Sequence, residues 1–546
     1  MDERLELLVM DYQAGRYTRR QFLTKALGLG VVAAGVPALL EMAGDRPVAP
    51  MAPAAEAGAP PRTVVIGMAE PIVNPDPAIE GSVGLGDIRA TWDNINEGVV
   101  RFKNGTVNLE PCLAKSWDIS PDGLTYTFHL RPAVFHDGTA VTASGVKLSY
   151  DRQIDQKNFY HFPGITYTEI VFSDVTAIDA VDPMTLRITQ KRPTVILLPN
   201  LALFVEGIAS PAALAKYGMD YGMHPTGSGP FQFDHWTKGV EFVETAFPQY
   251  WGGRPWLDRV IWKVVPDNTV RLEQLRTGEL DVDAQLDFKD TPSLANDKRF
   301  ALVTGTYLDV QYLITNMHKP PFEKQEVRQA FQYAVNKENI RKAVYYGNYT
   351  VGAGPVPKGV LGYDQTLEKV YPNDPKKAKD LLSKAGFPDG FAFTIMHRNE
   401  GFWPEIAQLV QSDLKDVGLK VSLQGLDQGA FGAKLNAGGH EVALNDWTMD
   451  NSDPDNIMFS LFSAPRARVR MGYQNPQVDK LNTDAQVQRD PAKRRQMYVQ
   501  AQRLILDDAP FLTLGYPNLA MGTRAGISGL HLSPLSQVVM RDVKIG

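Results

Sequence analysis

From Arg62 onward, short strand-like runs alternate with helical ones, and this interleaving restricts the chain to layered α/β architecture more than any other feature. Thr63–Met68 reads as a strand, and Leu124–Leu130 alternates with period two between the turn pairs Asp122-Gly123 and Asp137-Gly138. Thr185–Thr189 alternates again, and Phe393–Arg398 reads as a further strand. Ala143–Asp151 is predicted to be a helix capped by Thr142. Later helical stretches are longer. Gln325–Asn336 places Val327, Ala330, Phe331 and Ala334 on one face, and Asp374–Ala385 opens with a cap followed by proline. Glu405–Val417 stops at Gly418 before the strand Lys420–Leu423. Neither a helix bundle nor a β-sandwich fits this pattern.

A chain of 546 residues exceeds what one core sustains, so two or three domains are expected. Cys112 is the only cysteine, which excludes an intramolecular disulfide; with no His or helix start beside it, it reads as a small buried apolar residue. The net charge is -6 and there is no long basic run, so nucleic acid is not an expected partner. The nine histidines include no His-Glu-Xaa-Xaa-His or similar metal spacing. Gly227-Ser228-Gly229-Pro230 has neither the spacing of a nucleophile elbow nor that of a phosphate loop. The residues therefore point to no catalytic chemistry, no cofactor and no bound metal.

The N-terminal segment reads as an address. Arg19-Arg20-Gln21-Phe22-Leu23 leads into an apolar Gly/Ala-rich run from Ala26 to Leu40 and then a Pro/Ala-rich stretch, Pro47–Pro61. This is the pattern of an export signal, similar to a twin-arginine signal except that Thr24 stands where lysine often comes. Candidate small-residue cleavage sites are Ala52-Pro53-Ala54 and Ala55-Glu56-Ala57; retention as a membrane anchor is the alternative. No cysteine follows the apolar run, so no lipid anchor is expected. Residues 1–61 are set aside from the fold, and the rest is expected in the periplasm.

Several ordered blocks carry a family resemblance. Leu113-Ala-Lys-Ser-Trp117 runs through Pro121–Arg131 to Val134-Phe-His-Asp-Gly-Thr139. After it come Gly227–Phe231, Pro248-Gln-Tyr-Trp251, Leu275–Asp281, Val327–Phe331, Ala385-Gly-Phe387 and Trp447–Asn456. In this order they resemble the family 5 extracellular solute-binding proteins, which serve ABC importers of dipeptides, oligopeptides or nickel. The resemblance implies a two-lobed periplasmic-binding-protein fold (type II, cluster C) with an extra inserted domain. Lobe I would comprise 62–96, 198–310 and 506–546, the inserted domain 97–197, and lobe II 311–505. It also implies a monomer that delivers a small-molecule or peptide ligand to ABC permease subunits. A remote alternative is a periplasmic hydrolase. A sensory protein that presents its closed form to a receptor is another.

By motif match, the family's ammonium-binding aspartate falls on Asp450 and its carboxylate-binding arginine on Arg398. An arginine fork can donate two hydrogen bonds to one carboxylate. Trp447 and Trp403 are the aromatic candidates to cover a ligand. Structural readings stand beside each of these: Asp450 as a cap for a helix near Pro454, Arg398 as a solvated strand end, Trp447 as core. Asp453 reads as a helix cap. Glu400, two residues beyond Arg398, is close enough in sequence to neutralise it, which leaves open an amine, sugar, opine or chelated metal as the solute.

Overall fold

The computed structural model describes residues 60–79, 85–162 and 168–546. The twin-arginine segment and the cleavage candidates lie outside these residues. The described chain belongs to one unit spanning Gly58–Gly546.

Its frame is a twelve-stranded set of hydrogen-bonded strands with two halves. In the first half, Thr63–Met68 pairs in parallel with Arg259–Val264 and with Val282–Asp283. Phe231–Thr237 and Glu241–Ala246 extend that edge in antiparallel fashion. In the second half, Ala392–Arg398 lies in parallel between Lys420–Leu426 and Val442–Thr448, and Val442–Thr448 pairs antiparallel with Asp309–Thr315. One long strand, Phe511–Arg524, serves both halves. Its first residues pair with Asp309–Thr315 and Tyr349–Val351, and its last with Phe300–Thr306 and Val282–Asp283.

Each half has its own cores. Asp309–Thr315 is buried at every position because both faces of its half-sheet are covered. Leu313 packs into a cluster with Phe331, Phe393, Trp403 and Leu444, whereas Val310, Tyr312 and Ile314 pack into another with Met396, Ile457 and Ile505. Val64, Ile66 and Met68 point into a third cluster with Val260 and Trp262. A separate four-stranded antiparallel sheet, built from Ala114–Ile119, Thr125–Leu130, Val175–Asp182 and Thr185–Gln190, has its own core around Tyr126, Phe128, Leu130, Val146 and Tyr150. Fully burying one such Leu, Val or Phe contributes about 1.5–3 kcal/mol, so every one of these layers is individually substantial.

Local chemistry explains the elements. Thr142 accepts a hydrogen bond from the Gly145 amide and starts the helix Ala143–Ile154. The helix Gln325–Ala334 is two residues shorter than its apolar spacing predicts: Val335 is extended, and Asn336 caps the next helix, Lys337–Ala343. The third predicted helix begins earlier, at Trp403, with Pro404 in its first turn. Cys112 is fully buried, and burial pushes its thiol well above the ordinary range.

Two of the ordered sequence blocks converge on one buried carboxylate. Glu97 accepts hydrogen bonds from Tyr250 Oη (2.8 Å), Trp251 Nε1 (2.8 Å) and Ser228 Oγ (3.1 Å), and Arg101 lies 3.3 Å away. Gly227 and Gly229 permit this approach: a Cβ at either would stand 2.0 or 2.2 Å from the Ile95 or Asn94 carbonyl. The Gly-Ser-Gly turn is therefore structural.

At the junction of the two halves, pairing along Phe511–Arg524 slips register, and Gly515 sits opposite both Gln311 and Val351. A Cβ on Gly515 would lie 2.4 Å from the Thr350 carbonyl and 2.4 Å from the Tyr349 ring. Gly515→Ala is expected to destabilise the protein by about 1–3 kcal/mol. A lowered midpoint in urea unfolding checks this; an unchanged midpoint would show that the junction tolerates a side chain.

Candidate functional site

The strand Val442–Thr448 ends at the boundary between the halves. Side chains alternate along it, so Asp446 and Thr448 face one side and Trp447 the other. Asp446 and Thr448, with Asp309 from the neighbouring strand, line a cavity of about 620 Å³. One wall comes from the second half of the frame, including Tyr345, Phe402 and Glu405. The facing wall comes from the first half, including Arg89, Gln285, Asp287 and Lys289. Tyr307 lies where the chain passes from Phe300–Thr306 into Asp309–Thr315.

The polar floor is a chain of charges. Arg398 Nη2 approaches Asp446 Oδ1 at 2.8 Å, and the guanidinium lies 4.2 Å from the centre of the Trp403 ring. Asp309 is 2% exposed, and its Oδ1 accepts a 3.0 Å hydrogen bond from Thr448. Burial, followed by the charge of Asp446, holds the Asp309 carboxyl well above the usual range. Burial also raises Asp446, and the Arg398 cation opposes that shift. Across the cavity, Arg89 donates to Glu70 (2.8 Å), and Gln285 holds the other Glu70 oxygen (2.9 Å). Burial lowers the Arg89 pKa despite Glu70.

The four residues singled out from sequence fall into two pairs. Arg398 and Trp403 meet behind Asp446 without lining the cavity themselves, with Trp403 only 4% exposed as the first residue of its helix. Trp447 and Asp450 meet through Asn456, which accepts from Trp447 Nε1 at 2.9 Å and donates to Asp450 Oδ2 at 3.4 Å. Trp447 also stacks beneath Arg466, at 5.1 Å, and packs on the Tyr312 core. This second pair does not line the cavity either. It lies where Asn451 donates to Asn200 (2.7 Å) and Ser452 to the Val107 carbonyl (2.9 Å).

Asp453 is engaged structurally. It accepts from the Asp455 amide ahead of the helix Asp455–Phe462 and forms two 2.7 Å bonds to Arg494. Glu400 is exposed, and the carboxylate that meets Arg398 is Asp446. Sequence reasoning missed Asp446, Asp309 and Arg89. The available signal was a charged residue at the end of each of two apolar strands, one of them immediately before Trp447. Among the described residues, no group of three or more His, Cys, Asp or Glu side chains is placed to hold a metal, and no helix is long and apolar enough to cross a membrane.

Comparison with known proteins accounts for the whole frame. Residues 108–468 match the family model described as bacterial extracellular solute-binding proteins, family 5 Middle. The chain is 34% identical over 436 residues to a glutathione-binding protein GsiB of Pectobacterium atrosepticum, covering 77% of this chain and 83% of that protein. It is 32% identical over 476 residues to the dipeptide-binding protein of Escherichia coli, covering 82% and 88%. Among solved structures it is similar to the ABC transporter-associated periplasmic binding protein DppA from Helicobacter pylori in complex with peptide STSA. That likeness has a TM-score of 0.75 and 30% identity, and covers 88% of this chain and 98% of that one. The α/β frame with its shared strand is thus that of a periplasmic binding protein, and the chain belongs to family 5 of the bacterial extracellular solute-binding proteins.

Proposed function

We propose that this protein captures a di- or oligopeptide outside the cytoplasmic membrane and presents it, chemically unaltered, to the permease subunits of an ABC importer. The observation that carries the reading is the cavity between the two half-sheets, walled from both sides and lined by the cations Arg89 and Lys289 as well as by the acids Asp309 and Asp446. A free peptide has an ammonium at one end and a carboxylate at the other. Enclosing either without a partner costs several kcal/mol, so such a cavity needs both signs. Relatives named for glutathione and dipeptides and a structural neighbour holding a tetrapeptide support the same class.

The reading includes a monomer of two lobes, 62–96 with 198–310 and 506–546 against 311–505, and an inserted domain over 97–197. Their cores support this division in outline, although Phe511, Leu512, Leu514 and Tyr516 pack on the cores of 311–505, and Leu201, Val205 and Ile208 on that of the inserted domain. It also includes export to the periplasm on the Arg19-Arg20 signal. Asp450 and Trp447, held beside Asn200 and Val107 of the neighbouring layer, would form the rim that closes over a long ligand.

The test is calorimetry of the purified protein with glutathione and a panel of di- to tetrapeptides, together with small-angle scattering. Micromolar or tighter binding, with a decrease in the radius of gyration at saturation, is expected, since closing the lobes requires contacts that favour one state. Tight binding of an opine or a sugar, and none of peptides, would replace the peptide by that solute. Consumption of the ligand would overturn the transport role.

A further inference from the structure

Arg398 is the residue expected to receive a ligand carboxylate, yet its guanidinium already has a carboxylate partner. Asp446 stands 2.8 Å from Nη2, and behind it Asp309 places a second carboxyl in the same cavity. A ligand carboxylate arriving at Arg398 would have to displace Asp446 or lie against it.

The other charges facing the cavity do not restore the balance. Arg89 is paired with Glu70, and Lys289 with Asp287 at 3.1 Å. Glu405 adds another acid to the lining. Asp446 thus has Arg398 behind it and Asp287 has Lys289, whereas among the described residues no ion pair reaches the other two lining acids, Asp309 and Glu405. A neutral group gives an independent indication. Gln311, two residues along from Asp309 and fully buried, donates through its amide to Tyr345 Oη, while its Oε1 has no hydrogen-bond partner. Tyr345 is part of the cavity lining and Gln311 is not, so this acceptor lies one side chain behind the wall, where leaving it unpaired is costly.

We infer that Asp446, backed by Asp309, selects the cationic end of the ligand, so that Arg398 acts as a positioning residue for Asp446 and not as the receptor of a carboxylate. A primary ammonium has three donors and no acceptor, which matches a floor that offers carboxylate oxygens and whose nearest cation, Arg398, is already engaged. Inserted between the two acids, it would complete an alternating row: guanidinium, carboxylate, ammonium, carboxylate. A second anion placed there would meet the Asp446 carboxylate at close range, and that repulsion discriminates between ligand ends. The inference rests on the peptide reading above and deepens it.

The test uses the full chain and four probes: alanyl-alanine, its N-acetyl derivative, its C-terminal amide, and glutathione. N-acetylation is expected to weaken binding at least 100-fold and amidation less than 5-fold. Asp446→Asn should weaken alanyl-alanine at least 30-fold while changing the N-acetyl peptide less than 3-fold, a split that a purely structural role for Asp446 would not produce. A larger loss on amidation than on acetylation, or unchanged affinity in Asp446→Asn, would overturn the inference even with the peptide reading intact. If none of the four binds, the peptide reading fails and the inference is decided by thermal shift with putrescine against succinate. Stabilisation by the diamine alone supports it, and stabilisation by the dicarboxylate or by neither overturns it.

Discussion

Arg494→Met is expected to lower the free energy of unfolding by about 3–5 kcal/mol, because it strands a buried carboxylate without its cation. Arg494 and Asp453 have side chains 7% and 6% exposed and share two 2.7 Å hydrogen bonds. Arg494 also donates to the Ala485 carbonyl and so ties the helix Pro491–Asp508 to Pro476–Val487. Asp455 adds a pH signature. Burial first, and then the charge of Asp453, push its pKa up to about 7 from an ordinary value of 3.8. Between those values the folded state keeps a proton that the unfolded state releases, so this group's contribution to stability falls as pH rises from about 4 to about 7. Asp455→Asn should flatten that part of the stability profile. Urea unfolding of both variants at pH 5 and pH 8 is the measurement; a profile in Asp455→Asn as steep as in the parent would contradict the assignment.

Arg271→Met is expected to be as severe, again about 3–5 kcal/mol, and to reach the ligand cavity as well. Arg271 is fully buried, pairs with Asp283 at 2.7 Å, and donates to the Val265 and Gln285 carbonyls and to Asn268. Burial raises the Asp283 pKa even with Arg271 present, so desolvation outweighs the attraction between them. Asn268 and Gln285 line the cavity, and loosening their anchor should weaken ligand binding along with stability. The double variant Arg271→Met with Asp283→Leu should recover most of the stability, since a buried pair replaced by apolar groups of similar volume is often neutral. A double variant no better than the single one would show that the carbonyl contacts, not the ion pair, carry the effect.

Much of the architecture was legible because local chemistry agrees with it. Thr63–Met68 is a strand as its pattern predicts, Asp374 caps its helix by accepting from the Lys377 amide, and Gly418 ends the helix Trp403–Asp416 in a positive-φ turn. The ordered blocks that carry the family resemblance mark mainly the scaffold. Ser228, Tyr250 and Trp251 hold Glu97, and Arg328 gathers the Phe322, Glu323 and Asp508 carbonyls. The cavity was less legible for the same reason. Asp309 and Asp446 lie on neighbouring strands far apart in sequence, and only the pairing of Asp309 with Thr448 and Gln311 with Asp446 sets their carboxyls side by side. No local periodicity encodes that register. Arg398 was recognisable by its match to the family's motif at the end of a strand, but its partner was not.

The shared strand has a consequence for how the molecule is made. Neither half-sheet can be completed by the first 510 residues, because Phe511–Arg524 supplies the partner edge for both. A polypeptide emerging from the ribosome therefore holds its layers unsealed until nearly the whole chain is synthesised, exposing strand edges that chaperones can cover. Once that last segment is in place both half-sheets have their shared edge, and a transcript broken shortly before codon 511 would yield a chain in which neither half-sheet is complete.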